Sequence, residues 1–169
     1  MTQPARKQEE VQDARRIATA AELAAANINP QTGLATDYLN HFNEAVMLLD
    51  MIPDVPDCVQ DFMEWRPLSY AEHFNASYFT ARELAIAAYE EADAAVRGEF
   101  DALTTAMTDI LVAVGNAMRE VRHESSRGIL AGQAAGWLRP MVGQAGGVIN
   151  GKAIEQDRFE IDAIMDAAP

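Results

Sequence analysis

The chain has 169 residues and a mass of 18.5 kDa, which fits one domain of ordinary size. It carries 13 basic and 26 acidic residues, and the resulting net charge of −13 argues against binding to nucleic acid or to an anionic membrane surface. The single cysteine, Cys58, excludes an intrachain disulfide framework and fits a cytoplasmic protein, which is the location that we expect.

Three regions are expected along the chain. Residues 1–33 form a charged N-terminal helix, over about Pro4–Ala26, and a turn that begins where Pro30 ends the helix. Residues 34–150 form a helical bundle, because alanine, leucine, methionine and glutamate dominate and alternating β-branched runs are missing from the sequence. Residues 151–169 form an acidic, amphipathic C-terminal tail.

The first segments of the bundle are short helices. An apolar stripe predicts a helix over about Ala35–Met51, and a shorter helix follows over about Asp57–Trp65. The stretches Ser69–Glu72 and Thr80–Glu83 each place a hydroxyl residue three positions before a glutamate. This spacing is typical of a capping box, so we expect a helix to begin at each of them.

The most regular pattern is an apolar seam in which the residues are spaced three or four apart, close to a heptad repeat. A helix of roughly 27 residues would be about 40 Å long, which makes it the central helix of the bundle or the seam of a dimer. The fold class is therefore an all-α bundle of about five to six helices with one long central helix. The seam residues are Val96, Phe100, Leu103, Met107, Ile110, Val114, Met118 and Val121.

The last segment of the bundle is rich in glycine. Gly132 and Gly136 belong to a run in which glycine recurs every four residues. Because glycine costs a helix about 1 kcal/mol relative to alanine, we interpret this face as a site of close approach to another helix; a loosely ordered segment is the alternative. Residues 128–151 contain Arg139 as their one charged residue, whereas residues 34–95 contain twelve acidic and two basic residues.

Four side chains of the bundle are candidate metal ligands: His41, Glu44, Glu72 and His73. Carboxylates and imidazoles from separate helices hold iron, manganese or zinc in bundle cores. The order His-x-x-Glu is the reverse of the Glu-x-x-His motif in di-iron bundles and occurs once, so a surface pair of His41 and Glu44 is the alternative.

Apolar and acidic residues alternate in the C-terminal tail, which resembles the short acidic docking helices of flagellar-switch proteins and chemotaxis phosphatases. The resemblance implies that a protein partner binds the tail as a helix in a groove. Packing of the same helix on its own bundle is the alternative. The apolar residues that would make the contact are Phe159, Ile161, Ile164 and Met165.

Two stretches, Thr36–Glu44 and Trp65–Tyr70, resemble small helical proteins of alphaproteobacteria for which no activity is known. The resemblance extends over about residues 34–150. It implies a helical domain and supplies no substrate and no site.

The chain contains no complete catalytic motif of the kinds that sequence can reveal, such as a nucleophile elbow or a phosphate-binding loop. We therefore expect a non-enzymatic helical interaction or regulatory protein that forms a homodimer and needs no cofactor. The first alternative is a bundle that binds a divalent or iron metal ion. The second is a small-ligand site between helices, lined by the aromatic residues Trp65, Tyr70, Phe74 and Tyr78.

Overall fold

The computed structural model describes residues 18–152 and confirms the all-α bundle. Within this range the chain forms seven α-helices: one lies in the N-terminal region and six lie within residues 34–150, where five to six were expected. Their bounds are α1 (Ala20–Ala25), α2 (Leu39–Met51), α3 (Cys58–Glu64), α4 (Tyr70–Ala76), α5 (Arg82–Glu91), α6 (Ala94–Glu120) and α7 (Glu124–Ile149).

Helix starts follow local capping chemistry. Ser69 caps α4 as predicted: its side chain accepts a hydrogen bond from the backbone of Glu72, whose carboxylate accepts one from the Ser69 backbone at 2.7 Å. Thr19 caps α1 in the same way. The predicted capping box at Thr80–Glu83 is wrong, because α5 begins after Ala81 and no side chain caps it. Residues 4–17 of the predicted N-terminal helix and residues 153–169 of the predicted C-terminal tail lie outside the described residues.

A tight turn connects α1 to the bundle. The Asn29 side chain accepts hydrogen bonds from the next backbone amides, and Gly33 follows with a φ of +71°. A Cβ atom at Gly33 would lie 2.7 Å from the carbonyl oxygen of Ala88, so glycine is required here on two counts. The turn therefore rests directly on α5 and leads into the 3-10 helix Thr36–Tyr38, which precedes α2.

The long helix α6 has 27 residues, as the sequence predicts, and begins where Asp93 caps two backbone amides. Its buried stripe differs from the predicted seam at three positions, one of which, Val121, lies just after the end of the helix and is half-buried. Thr104 and Leu111 are buried, whereas Leu103 and Ile110 are only half-buried. An α-helix repeats every 3.6 residues, so a strict heptad drifts off the buried face. Thr104 tolerates burial because its hydroxyl donates to the carbonyl oxygen of Asp101 at 3.2 Å.

Helix α7 is continuous over 26 residues and packs against both α6 and α2. A second long helix of the same chain therefore packs against α6. Four alanines of α7, Ala131, Ala134, Ala135 and Ala145, are fully buried. Of the glycine run, Gly128 makes a close approach, because a Cβ atom there would lie 3.3 Å from Pro53 Cα. A Cβ atom at Gly132 or Gly136 would meet no atom of the described chain within 4 Å, so these glycines face away from the bundle.

The core lies between α2, α6 and α7, with large side chains such as Phe42, Phe100 and Leu138 fully buried. Helices α3, α4 and α5 flank it and contribute Phe62, Phe74 and Ala85. Across residues 18–152, no helix combines the length and the apolar character that a membrane span requires.

Candidate functional site

One side of α7 is exposed along most of its length. We call it the α7 face; it consists of Ile129, Gly132, Gly136, Trp137, Pro140 and Gly143. Apart from the adjacent pair Gly136 and Trp137, successive residues are three or four positions apart, so they share one side of the helix. Ile129 is 65% exposed and Trp137 is 55% exposed, although both are large and apolar. Two large exposed apolar side chains on one side of a helix make this stripe a candidate contact surface.

The α7 face carries no charge. Arg139, the one charged residue between positions 128 and 151, forms an ion pair with Asp50 of α2. Both side chains of this pair are exposed, so the charge of Arg139 lies at the surface and is balanced by Asp50. At 1.5 Å per residue, the stripe from Ile129 to Gly143 is about 20 Å long. The glycines make it flat, and Trp137 is the one large projection from its middle part.

The four predicted metal ligands do not come together. His41 and His73 are neighbours, with ring centroids 6.0 Å apart. Glu44 is exposed on α2, and the carboxylate of Glu72 is engaged in capping α4. Within residues 18–152, no group of three or more histidine, cysteine, aspartate or glutamate side chains is arranged to hold a metal ion. The metal hypothesis thus has two adjacent imidazoles in its favour and lacks the remaining ligands.

The two histidines instead belong to an aromatic cluster beside the core. The His41 ring stacks on Trp65 with centroids 4.7 Å apart, and the Trp65 indole donates a hydrogen bond to the His41 carbonyl oxygen at 3.0 Å. The Nε2 atom of His73 lies 3.1 Å from the Oδ2 atom of Asp37. The Nε2 atom of His41 is buried and makes no hydrogen bond with the described part of the chain.

The environment of His41 lowers its pKa to about 4. Burial is the largest cause, the positive charge of nearby His73 is the second, and an interaction with the backbone of Arg66 opposes both. His41 is therefore neutral at neutral pH.

This shift predicts a loss of stability in acid. Below a pH of about 6.5 the unfolded chain binds a proton at His41, whereas the folded chain does so only near pH 4. Stability is therefore complete above pH 6.5 and falls by up to about 2 kcal/mol on going down to about pH 5. Replacing His41→Phe keeps the stacked ring and should remove this part of the pH dependence, as measured by urea denaturation at both pH values. His123→Phe, at an exposed histidine, is the control; equal acid sensitivity in His41→Phe and the wild type would contradict the assignment.

A cleft of about 400 Å³ lies where α4, α5 and α6 meet the 3-10 helix. We call it the Asp101 cavity. The Tyr89 hydroxyl donates to Asp101 Oδ1 at 2.7 Å, and the Tyr38 hydroxyl donates to the Leu68 carbonyl oxygen at 2.7 Å. Glu72 and threonines of α6 complete the polar part of the lining. Burial, and then the charges of Asp101 and Glu72, raise the pKa of Tyr38 to about 12.

The aromatic residues that sequence assigned to a small-ligand site have four different environments. Tyr70 lines the Asp101 cavity, Phe74 is fully buried in the core, and Tyr78 is fully exposed. Trp65 stacks on His41 and lies outside this cavity. The two tyrosines and the aspartate that complete the cavity were missed, because Tyr38, Tyr89 and Asp101 come from distant segments with no shared motif.

The predicted tail contacts, Phe159, Ile161, Ile164 and Met165, lie outside the described residues. Comparison with known proteins adds no assignment for any of these sites, since no protein-family model, curated protein or solved structure matches this chain.

Proposed function

We propose that this protein is a non-enzymatic helical interaction protein of the cytoplasm that self-associates through the α7 face. The observation that carries the proposal is the exposed indole of Trp137 on a flat, uncharged stripe of a long helix. In a two-fold symmetric pair the same patch meets itself, so each indole can lie over the glycines of the other copy. Gly132 and Gly136 then have the close-approach role between chains that they do not have within one.

Charge supports a second copy as the occupant. Each chain carries a net charge of −13, and twelve of its acidic residues lie within residues 34–95. Two copies would repel each other across most of their surfaces. The α7 face is free of acidic side chains, so contact there keeps the like charges as far apart as this fold allows. Salt screens the remaining repulsion beyond about 8–10 Å, so association should tighten as salt is added.

The size of the face sets the expected affinity. A stripe about 20 Å long on a helix about 10 Å wide presents roughly 200 Å² in projection. Stable complexes bury about 800 Å² on each partner, so the pair must also use flanking side chains and should dissociate readily. We therefore expect a homodimer with a dissociation constant in the micromolar range.

Sedimentation equilibrium across a range of protein concentration and salt tests this proposal. The wild type should approach twice the chain mass of 18.5 kDa, with tighter association at higher salt. Gly132→Leu should weaken the dimer by at least about tenfold, because the added side chain separates the two helices. The chain itself has room for that side chain, so the monomer should stay folded.

Gly98→Leu is the matched control, because Gly98 is also an exposed helical glycine with open space around its Cβ position, but it lies on α6. This variant should dimerise like the wild type. A mass of 18.5 kDa under every condition would reject self-association. Equal dimerisation of the Gly132→Leu and Gly98→Leu variants would place the interface elsewhere.

A further inference from the structure

We infer that the Asp101 cavity binds a small organic cation that carries a primary ammonium group, with Asp101 as its counter-ion. This site is separate from the α7 face, and the inference does not depend on self-association.

The charged side chains that line the Asp101 cavity are negative. Asp101 and Glu72 both line the cavity, and none of the described residues that line it is basic. Asp101 is half-buried and forms no ion pair with any lysine, arginine or histidine in the described range. Its charge reaches Tyr38 and Tyr89, where it adds to the rise of both phenol pKa values. Arg97, one turn earlier on α6, lies 5.8 Å from the centre of the Tyr89 ring and donates to the backbone carbonyl oxygens of Tyr89 and Glu90. A partly buried carboxylate with no ion-pair partner in the described range is a favourable place for a positive ligand.

Four hydroxyl groups of the lining donate their hydrogen bonds to other atoms of the protein. The hydroxyls of Tyr38 and Tyr89 donate to Leu68 and Asp101, as described above. The Thr104 hydroxyl donates to the Asp101 carbonyl oxygen at 3.2 Å, and the Thr108 hydroxyl donates to the Thr104 carbonyl oxygen at 2.9 Å. Each of these four hydroxyls donates its one hydrogen to an acceptor of the protein, so that only its lone pairs remain for a ligand.

These four hydroxyls therefore face a ligand as acceptors, whereas the Tyr70 hydroxyl, which also lines the cavity, accepts from the Ala35 amide at 3.0 Å and keeps its hydrogen to donate. Asp101 Oδ1 accepts from Tyr89, while Oδ2 accepts no hydrogen bond from the described chain. An ammonium group has three donors and no acceptor, so it suits Asp101 Oδ2 and the lone pairs of these four hydroxyls. Anions are disfavoured because both charged side chains of the lining, Asp101 and Glu72, are negative.

The walls of the Asp101 cavity combine polar and apolar surface. The volume of about 400 Å³ lies within the range of about 300–1,000 Å³ that is usual for small-molecule sites. Pro67, Leu68 and the tyrosine rings supply apolar surface for the hydrocarbon part of a ligand. A bare metal ion would gain nothing from these walls, and no three-ligand group exists for it within residues 18–152.

Isothermal titration calorimetry with 1,4-diaminobutane dihydrochloride tests the inference. The wild-type protein should bind the diamine, and Asp101→Asn should weaken binding by at least about tenfold, which corresponds to about 1.4 kcal/mol. Asparagine can still accept the hydrogen bond from Tyr89, so this variant removes the charge with little change in the fold. Asp109→Asn is the matched control, because Asp109 is exposed on the same helix and lies outside the cavity; it should bind as the wild type does.

Sodium chloride at equal ionic strength and 1,4-butanediol, an uncharged ligand of similar length, complete the experiment. The absence of diamine binding to the wild type would overturn the inference. Equal binding of the diol would show that charge is not what the cavity recognises. If Asp101→Asn and Asp109→Asn weakened diamine binding equally, the binding would depend on the net negative charge of the chain and not on this cavity.

Discussion

Replacing Met107→Asp is expected to unfold the protein. Met107 is fully buried in the middle of α6, where that helix packs against α7. An aspartate there would place an unpaired charge in the core and leave the volume of the methionine unfilled. The expected loss is about 3–5 kcal/mol or more, which is most of the stability of an ordinary domain. Circular dichroism should show the helical signal lost at room temperature, or a urea midpoint far below that of the wild type.

Val112→Asp is the matched control for this experiment, because Val112 lies on the same helix and is 42% exposed. It should change the free energy of unfolding by little, within about 0.5 kcal/mol. The loss of unfolding free energy in Ile110→Asp should lie between those of Met107→Asp and Val112→Asp, since Ile110 is half-buried. Native melting of the Met107→Asp variant would show that this side of α6 does not form the core.

Replacing Ala134→Leu is expected to destabilise the bundle by about 1–3 kcal/mol. Ala134 is fully buried on the side of α7 that packs against the bundle, and three added carbons would force the helices apart. Gly132→Ala, two residues earlier, should have the opposite effect. Its Cβ atom meets open space, and alanine favours the helix by up to about 1 kcal/mol over glycine. Urea denaturation at concentrations low enough to keep the protein monomeric measures both.

The pair of variants distinguishes the two interpretations of the α7 sequence. If the glycines made the helix contact within the chain, Gly132→Ala would destabilise and Ala134→Leu would be the milder change. That outcome would contradict the packing described here.

The fold was largely predictable because its signals are local. The bounds of α6 follow from apolar spacing, and the start of α4 follows from the Ser69–Glu72 capping box. The exact buried stripe of α6 was not predictable. Leu103 and Leu111 are equally apolar, and only the position of the neighbouring helices decides that one is half-buried and the other buried.

The sites were less predictable, because they depend on contacts between distant segments. His41 and His73 were both singled out from sequence, but their neighbourhood is set by how α2 and α4 pack. The acceptor-rich lining of the Asp101 cavity arises from the directions in which Tyr38, Tyr89 and Thr104 donate their hydrogens. No spacing in the sequence carries that information.

Gly132 and Gly136 make no close approach within the described part of the chain, and their contact with a second copy stays a prediction. Repeated glycine in a helix indicates a face that benefits from being flat, but sequence does not say which partner lies on it. In this chain alanine fills the intramolecular contact, and Gly132 and Gly136 remain open. That arrangement is the basis for assigning the flat face to a second copy.

Cysteine cross-linking tests that assignment most directly. In a Cys58→Ser background, Gly132→Cys, Gly136→Cys and Gly143→Cys are introduced one at a time, with Gly98→Cys as the control on α6. A disulfide requires Cα atoms within about 7 Å, so it reports direct pairing of the two faces. The account predicts that mild oxidation yields a covalent dimer from at least one of the three α7 variants and none from Gly98→Cys. Equal amounts of covalent dimer from Gly98→Cys and from the α7 variants would contradict the account. So would the absence of covalent dimer from all four variants.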